Sequence, residues 1–166
     1  MAWRIRQAGY ADLEAAARAK ALSWTESLVG VVPDEALRRQ LEPQWLNRAA
    51  EQWRRVLDGG GYVWLVVDDD EEVVGVAHAS IGRDDDAPTP LELVTMYLRQ
   101  AAQGTGVADA LLTMTIGDAQ AYLWVLSGNV RAHAFYRRHG FTPDGVRVPV
   151  DGLGTTKERW VRSKPL

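Results

Sequence analysis

Polar and apolar residues alternate over WRIRQA (3–8), which predicts a short strand. The period then becomes helical. Asp12 stands where a cap belongs, ahead of a helix to about Leu28 with Leu13, Ala16, Ala17, Lys20 and Trp24 along one face. A turn, GVVPDE, leads into a second helix beginning near Asp34. Pro43 interrupts that pattern and EPQWLNRAAEQWRRVL restarts it, with Trp45, Ala49, Trp53 and Val56 on one stripe. Three glycines, Gly59 to Gly61, end it.

From Tyr62 the pattern changes again. YVWLVV and VVGVAHASI are rich in β-branched and aromatic residues and flank the acidic turn DDDEE, which predicts an antiparallel hairpin. The loop GRDDDAPTP leads to a third strand of this region, LELVTMYL. A glycine-rich turn then opens a short helix from about Gly106 to Ile116, and Gly117 ends it. AYLWVLS reads as another strand, and Asn129 opens the helix VRAHAFYRRHG with Gly140 as its C-cap. FTPDGVRV and TTKERWVR are the closing strands. The order is that of a mixed α/β sheet domain spanning residues 1–166, with no internal repeat and no linker.

At 166 residues and 18.4 kDa the chain is sized for one domain with its own core. It has no cysteine, which excludes disulfides, a cysteine nucleophile and thiolate metal sites, and fits a reducing cytoplasm. His78, His133 and His139 lack metal-ligand spacing, so no metal is expected. The opening MAWRIRQAGYADLE carries no apolar core of signal-peptide type, and no segment is long enough to span a bilayer, so no membrane partner is expected. A net charge of −3 gives no general attraction to nucleic acid. Yet eight of the 22 acidic residues lie in two runs, Asp68–Glu72 and Asp84–Asp86, so the remainder is positive and compatible with an anionic ligand. The second run reads as a solvated turn or as an attractor for a cationic acceptor.

Candidate chemistry concentrates between Leu91 and Phe141. A strand, the turn QGTGVA (Gln103 to Ala108) and a helix N-terminus together suit a phosphate: the first-turn amides have no intrahelical partner, the helix dipole favours negative charge, and glycine lets a ligand approach the backbone. A tight strand-to-helix turn explains the same glycines without a ligand. Around this turn the chain resembles the GNAT (GCN5-related N-acetyltransferase) family. Gln103-Gly104-Thr105-Gly106-Val107-Ala108 is similar to that family's Q/R-x-x-G-x-G/A pyrophosphate motif, and LELVTMYL resembles its splayed central strand. LWVLSGNVRAHAFYRRHGF (123–141) resembles its next strand and helix, with Asn129, Ala132, Phe135, Tyr136, Gly140 and Phe141 in place. SWTESLVGVVPDEAL resembles one bacterial branch, so the likeness covers most of the chain.

The resemblance implies a mostly antiparallel central sheet with splayed middle strands and about four flanking helices. It implies acetyl-CoA as co-substrate and direct acetyl transfer to a primary amine of a small molecule, an amino acid or a peptide N-terminus. Backbone amides from Gly104 to Ala108 would hold the pyrophosphate, and Met96, Tyr97 and Leu98 would pair with the pantetheine arm. Asn129 and Phe135 would contact that arm, and Arg99, Arg131 or Arg138 would meet the adenosine phosphates. Tyr136 would protonate the departing thiolate, and a backbone N–H near Met96–Leu98 would stabilise the oxyanion. A lysine-like amine of pKa ~10.4 costs roughly 4.6 kcal/mol to deprotonate at pH 7, so a base is needed, and Glu92 is the candidate. Trp24 and His78 are the candidate acceptor-side residues.

Plainer readings exist for each: Tyr136 as a helix aromatic, Glu92 as a solvent-facing group or an arginine's partner, Asn129 as a helix cap, and the tryptophans as core. Gln100 stands where the family often has proline, and Ala101-Ala102 replace bulkier polar residues, which bears on the adenine contacts. The alternative function is a non-catalytic acyl-CoA-binding or regulatory module. A Rossmann-type dinucleotide site fails on context, because the turn comes late, follows an antiparallel hairpin and lacks an acidic partner for a ribose. The acceptor is left to loops 24–34, 82–90 and 145–155, and a homodimer is compatible with the resemblance.

Overall fold

The computed structural model describes residues 2–164. Its strands are β1 (Arg4–Gln7), β2 (Trp64–Val67), β3 (Val73–Ile81), β4 (Leu91–Leu98), β5 (Ala121–Leu126), β6 (Thr142–Val150) and β7 (Thr155–Arg162). Its helices are α1 (Leu13–Ser27), α2 (Asp34–Arg39), α3 (Pro43–Asp58), α4 (Val107–Ile116) and α5 (Val130–Arg138), with 3-10 turns at Tyr10–Asp12 and Gln100–Ala102. That is five helices where about four were expected, because Pro43 does more than kink a helix. It sits at the first turn of α3, where its missing N–H is harmless.

The seven strands form one sheet in the order β1-β2-β3-β4-β5-β7-β6. Every neighbouring pair is antiparallel except β4 and β5, which run parallel. Alternation along the strands supplies a core on each face. Leu65, Val67 and Val76 pack with Leu13, Ala16 and Ala17 of α1 and with Trp53 of α3. Val66, Ala77 and Leu98 face the opposite way, onto Val107 and Leu111 of α4. Further along, Leu123, Tyr136, Phe141 and Trp160 close a third cluster under α5.

Two local expectations change. Asp12 does sit at the N-cap of α1, but its carboxylate makes no capping bond. It accepts instead from the Gly9 amide at 2.7 Å and from both terminal nitrogens of Arg6 at 2.9 Å, tying β1 to the turn. Of the seven tryptophans only Trp53 and Trp160 are buried, and the other five are half-buried. On α1, Ala19, Ala21 and Ser23 are buried beside the expected stripe, since this helix contacts α2, α3, β3 and β4 together.

Candidate active site

The two central strands part. β4 and β5 are in register only at Glu92↔Tyr122 and Leu93↔Leu123. Val94 is skipped in the pairing of β4 with β3, a bulge that turns the rest of β4 away from β5. Beyond that point β5 stays on β7 while β4 stays on β3, so the facing edges of both are unpaired. A cleft of about 900 Å³ opens between them, walled by Met96, Tyr97 and Leu98 on one side and Val125, Asn129 and Phe135 on the other.

At one end the cleft meets the glycine turn. Gly104 and Gly106 have positive φ (75° and 86°), and no atom lies within 4 Å of where their Cβ would be. The first backbone bond into α4 runs from the Ala110 N–H to Gly106 C=O at 3.3 Å, leaving the amides of Gly104 to Asp109 without backbone acceptors among the described residues. Gln103 and Thr105 brace the turn: Gln103 Nε2 donates to Leu98 C=O at 2.9 Å and the Thr105 hydroxyl to Ala102 C=O at 2.6 Å. Gln103, Gly104, Gly106 and Ala108 line the cleft, whereas Thr105 and Val107 do not, Val107 being part of the core under α4.

On the far wall, Asn129 Oδ1 caps α5 by accepting from the Ala132 N–H at 3.2 Å, and the residue still lines the cleft. Phe135 sets its ring edge-on to Tyr136 at 5.4 Å. Tyr136 is buried at the cleft wall, and burial first, then neighbouring Tyr97, pushes its phenol well above the ordinary value. Arg138 pairs with Asp109 at 2.9 Å, Arg131 stands exposed on the wall, and Arg99 lies off the wall, clamped to Glu26 through Nε at 2.8 Å and Nη2 at 2.6 Å.

Glu92 lines the cleft but is only 1% exposed, and its carboxylate is fully engaged. Arg83 Nη2 donates to Oε2 at 2.5 Å and Nε at 3.1 Å, while the Tyr122 hydroxyl donates to Oε1 at 2.8 Å. Burial and this bond push the Tyr122 pKa up to about 12. His78 is buried in β3 and does not reach the cleft wall. Burial first, then Arg83, lowers its pKa, and Nδ1 has no partner among the described residues. Trp24 does line the cleft, 6.5 Å from the Tyr97 ring, with its Nε1 buried and without a partner among the described residues. In the acidic loop Asp85 and Asp86 are exposed, while Asp84 is half-buried and two of the three carboxylates are engaged within the chain. Asp84 accepts from Trp124 Nε1 at 2.8 Å and Asp86 pairs with Arg159 at 2.9 Å. Among the described residues no cluster of His, Asp or Glu is arranged to hold a metal.

Against known proteins, the sequence model of the Acetyltransferase (GNAT) family matches residues 23–141. The chain belongs to this family. No curated protein sequence matches it. Among solved GNAT-type structures, it is similar to the PaiA N-acetyltransferase of Thermoplasma acidophilum in complex with coenzyme A. Identity there is 18%, both chains are covered over 100%, and the TM-score is 0.72. It is similar to a GNAT superfamily phosphinothricin acetyltransferase of Sinorhizobium meliloti in complex with AcCoA, at 21% identity over 99% of this chain and 90% of that one, TM-score 0.71. It is also similar to a ribosomal-protein-alanine N-acetyltransferase of Brucella melitensis, at 20% identity over 98% and 99% of the two chains, TM-score 0.70. At these identities the likeness establishes the GNAT fold.

Sequence reading missed Arg83, Trp124 and Lys157 of this GNAT cleft, and Tyr122 buried behind Glu92. Tyr122 and Trp124 are two apart in β5, as Lys157 and Arg159 are in β7, so strand alternation alone puts each pair on one face. Arg83 sits inside an acidic run and carried no such signal.

Proposed function

We infer that this chain is an acetyl-CoA-dependent N-acetyltransferase acting on a primary amine, with the whole sequence working as one domain. The observation that carries the reading is the continuity of two features: an open glycine cradle at the N-terminus of α4 and the cleft between β4 and β5 that runs from it. Unsatisfied amides at a helix N-terminus are an anion site, and an unpaired strand edge suits an amide-bearing arm. The residues present therefore fit coenzyme A. Amides from Gly104 to Ala108 would take the pyrophosphate, the free edge at Met96, Tyr97 and Leu98 the pantetheine, with Asn129 and Phe135 opposite. Arg131 and Arg138 would meet the remaining phosphates. When bound, acetyl-CoA supplies the acetyl group, activated as a thioester.

The chain's own groups divide the rest. Tyr136 holds its proton at neutral pH, as a phenol does even at its ordinary value, and from the cleft wall it is the proton donor for a thiolate. Free N–H groups on the parted edge of β4 are preorganised donors for charge developing on the acyl oxygen. Glu92 is the candidate to receive the amine's proton, through water or after Arg83 moves, since both carboxylate oxygens are engaged. That engagement is also the one observation on the side of a non-catalytic acyl-CoA-binding module.

Calorimetric titration with acetyl-CoA, alongside Gly106→Glu, tests the reading. The wild type is expected to bind one equivalent and the variant, with a carboxylate in the open cradle, to lose it. Release of free thiol from acetyl-CoA with a panel of amines then separates enzyme from module. No binding by the wild type would refute the reading, and binding without transfer to any amine would favour the module.

A further inference from the structure

The charges that line the cleft are unevenly satisfied. Its three carboxylates are all paired within the chain: Glu26 with Arg99, Glu92 with Arg83, and Asp109 with Arg138 and His139. Two of its cations, Arg131 and Lys157, pair with no carboxylate among the described residues. Arg131 belongs to α5, on the wall shared with Asn129 and Phe135. Lys157 lies on the other side of the sheet, its ammonium 4.7 Å from the centre of the Trp124 ring. Arg83 lines the same cleft and precedes Asp84, whose carboxylate accepts the Trp124 N–H at 2.8 Å, while Arg159, itself paired with Asp86 and Asp144, lies 5.8 Å from the ring centre. Arg83 Nε and Nη2 serve Glu92, which leaves Nη1, and the side chain is 55% exposed. So the cleft wall that includes Trp124 carries one unpaired ammonium and, at Arg83, one guanidinium with an edge to spare, its carboxylate partner Glu92 being already engaged.

Resting on the acetyl-transfer reading above, we propose that the acceptor is an amine carrying its own anionic group, of the carboxylate type, held by Lys157 and the free edge of Arg83 against Trp124. A carboxylate there gains a charge-assisted bond from each cation. The carboxylates lining the cleft are all paired, and Asp84, which pairs with no cation among the described residues, is engaged by the Trp124 N–H, so a polycationic acceptor would meet two like charges with one carboxylate to offset them. Lys157 is in this account a specificity-determining residue: it holds the acceptor and takes no proton.

The test is acetyl transfer from acetyl-CoA to a panel of L-amino acids, each matched with its C-terminal amide and its decarboxylated amine. Wild type, Lys157→Met and Lys157→Arg are compared, with kcat/KM corrected for each acceptor's fraction of free amine. The wild type is expected to favour the acid over its matched amide by about 10- to 100-fold, mostly through acceptor KM. Lys157→Met is expected to bring that ratio near one with the KM for acetyl-CoA unchanged, and Lys157→Arg to restore part of it. Methionine keeps the apolar stem on Trp124, and unchanged acetyl-CoA binding by calorimetry verifies the fold. Equal or better turnover of the neutral amines, a preference that survives in Lys157→Met, or no transfer to any anionic amine by a protein that binds acetyl-CoA overturns the proposal. Failure to bind acetyl-CoA at all refutes the underlying reading instead.

Discussion

Tyr136 is held by rings. Phe135 meets it edge-on at 5.4 Å and Phe141 at 5.8 Å, and its raised pKa comes from burial and Tyr97, with no hydrogen bond among the causes. Removing only the hydroxyl should therefore leave packing intact while deleting the proton. For Tyr136→Phe the melting temperature is expected to stay within a degree or two and kcat to fall about 100-fold or more, as for loss of a positioned acid. Thermal melts and steady-state thiol release check the pair of outcomes, and unchanged kcat would remove Tyr136 from the proton path. Glu92 behaves differently, since its replacement also strips Arg83 and Tyr122 of their partner. The contrast bears on what residue types can say in advance. The position of Tyr136 on the cleft wall was legible because the motif around it is local in sequence. The Arg83–Glu92–Tyr122 cluster joins a loop to two strands, 9 and 30 residues from Glu92, and no local pattern encodes such a meeting.

α3 shows how far periodicity reaches at the scale of an element. Its apolar stripe placed Trp45 and Trp53 together, yet Trp53 is 2% exposed in the core under β2 and β3 while Trp45 is half-buried, with Arg48 over its ring at 4.8 Å. Leu46, Ala49, Ala50, Val56 and Leu57 pack on the same core from both halves of the helix, so Trp45 is left at its margin by tertiary docking rather than by period. Trp53→Ala is expected to cost about 3–5 kcal/mol, the range for emptying a large aromatic site in a core. Trp45→Ala should cost under about 1.5 kcal/mol, for partial burial alone. Urea denaturation of the two variants compares them directly, and equal losses would mean that Trp45 is packed as fully as Trp53. Strand order was legible throughout, and helix order apart from the separate helix that Pro43 starts, because the switches of period fall at Gly59–Gly61, at the acidic turn and at the glycine turn. Insertion of β7 between β5 and β6 was not, since one sequence shows which segments are strands and not which strands pair. The opening between β4 and β5 came through the family likeness, and its local cause, the bulge at Val94, leaves no mark on the alternation of LELVTMYL.

Across the whole molecule, buried charge and buried imidazole set a two-stage response to acid. In the first stage, burial and then Arg83 hold His78 below its ordinary pKa, with Glu92 opposing only in part, so the folded chain keeps this ring neutral. The unfolded chain protonates it near pH 6.5 and so binds more protons just below that value. Stability is then complete above about pH 6.5 and declines as pH falls from there to the depressed pKa, below which this group adds nothing further. In the second stage the carboxylates respond. For Glu26, burial alone would raise the pKa, but Arg99 and the Gln100 amide outweigh it; for Asp12, Arg6 is the leading cause of a lowered value. Glu158 is likewise lowered, the Trp160 N–H and Arg147 together overcoming burial. Groups with depressed carboxyl pKa values stabilise the fold above the ordinary values near 4 and lose that contribution as pH falls through the depressed ones. Thermal melts from pH 7.5 to 3 should thus show one decline beginning near pH 6.5 and another below about pH 4.5. His78→Asn removes the titrating ring whatever it does to absolute stability, so its curve should be flatter between pH 6.5 and 5 and should keep the lower decline. If the variant declines as the wild type does across that upper window, the buried imidazole is not the group responsible. The same curve bears on catalysis, because Arg83 and Glu92 are the charged neighbours that act on His78. A preference for acceptors lost only where the fold is also losing stability would then be a stability effect, and one lost above pH 6.5 would belong to the cleft itself.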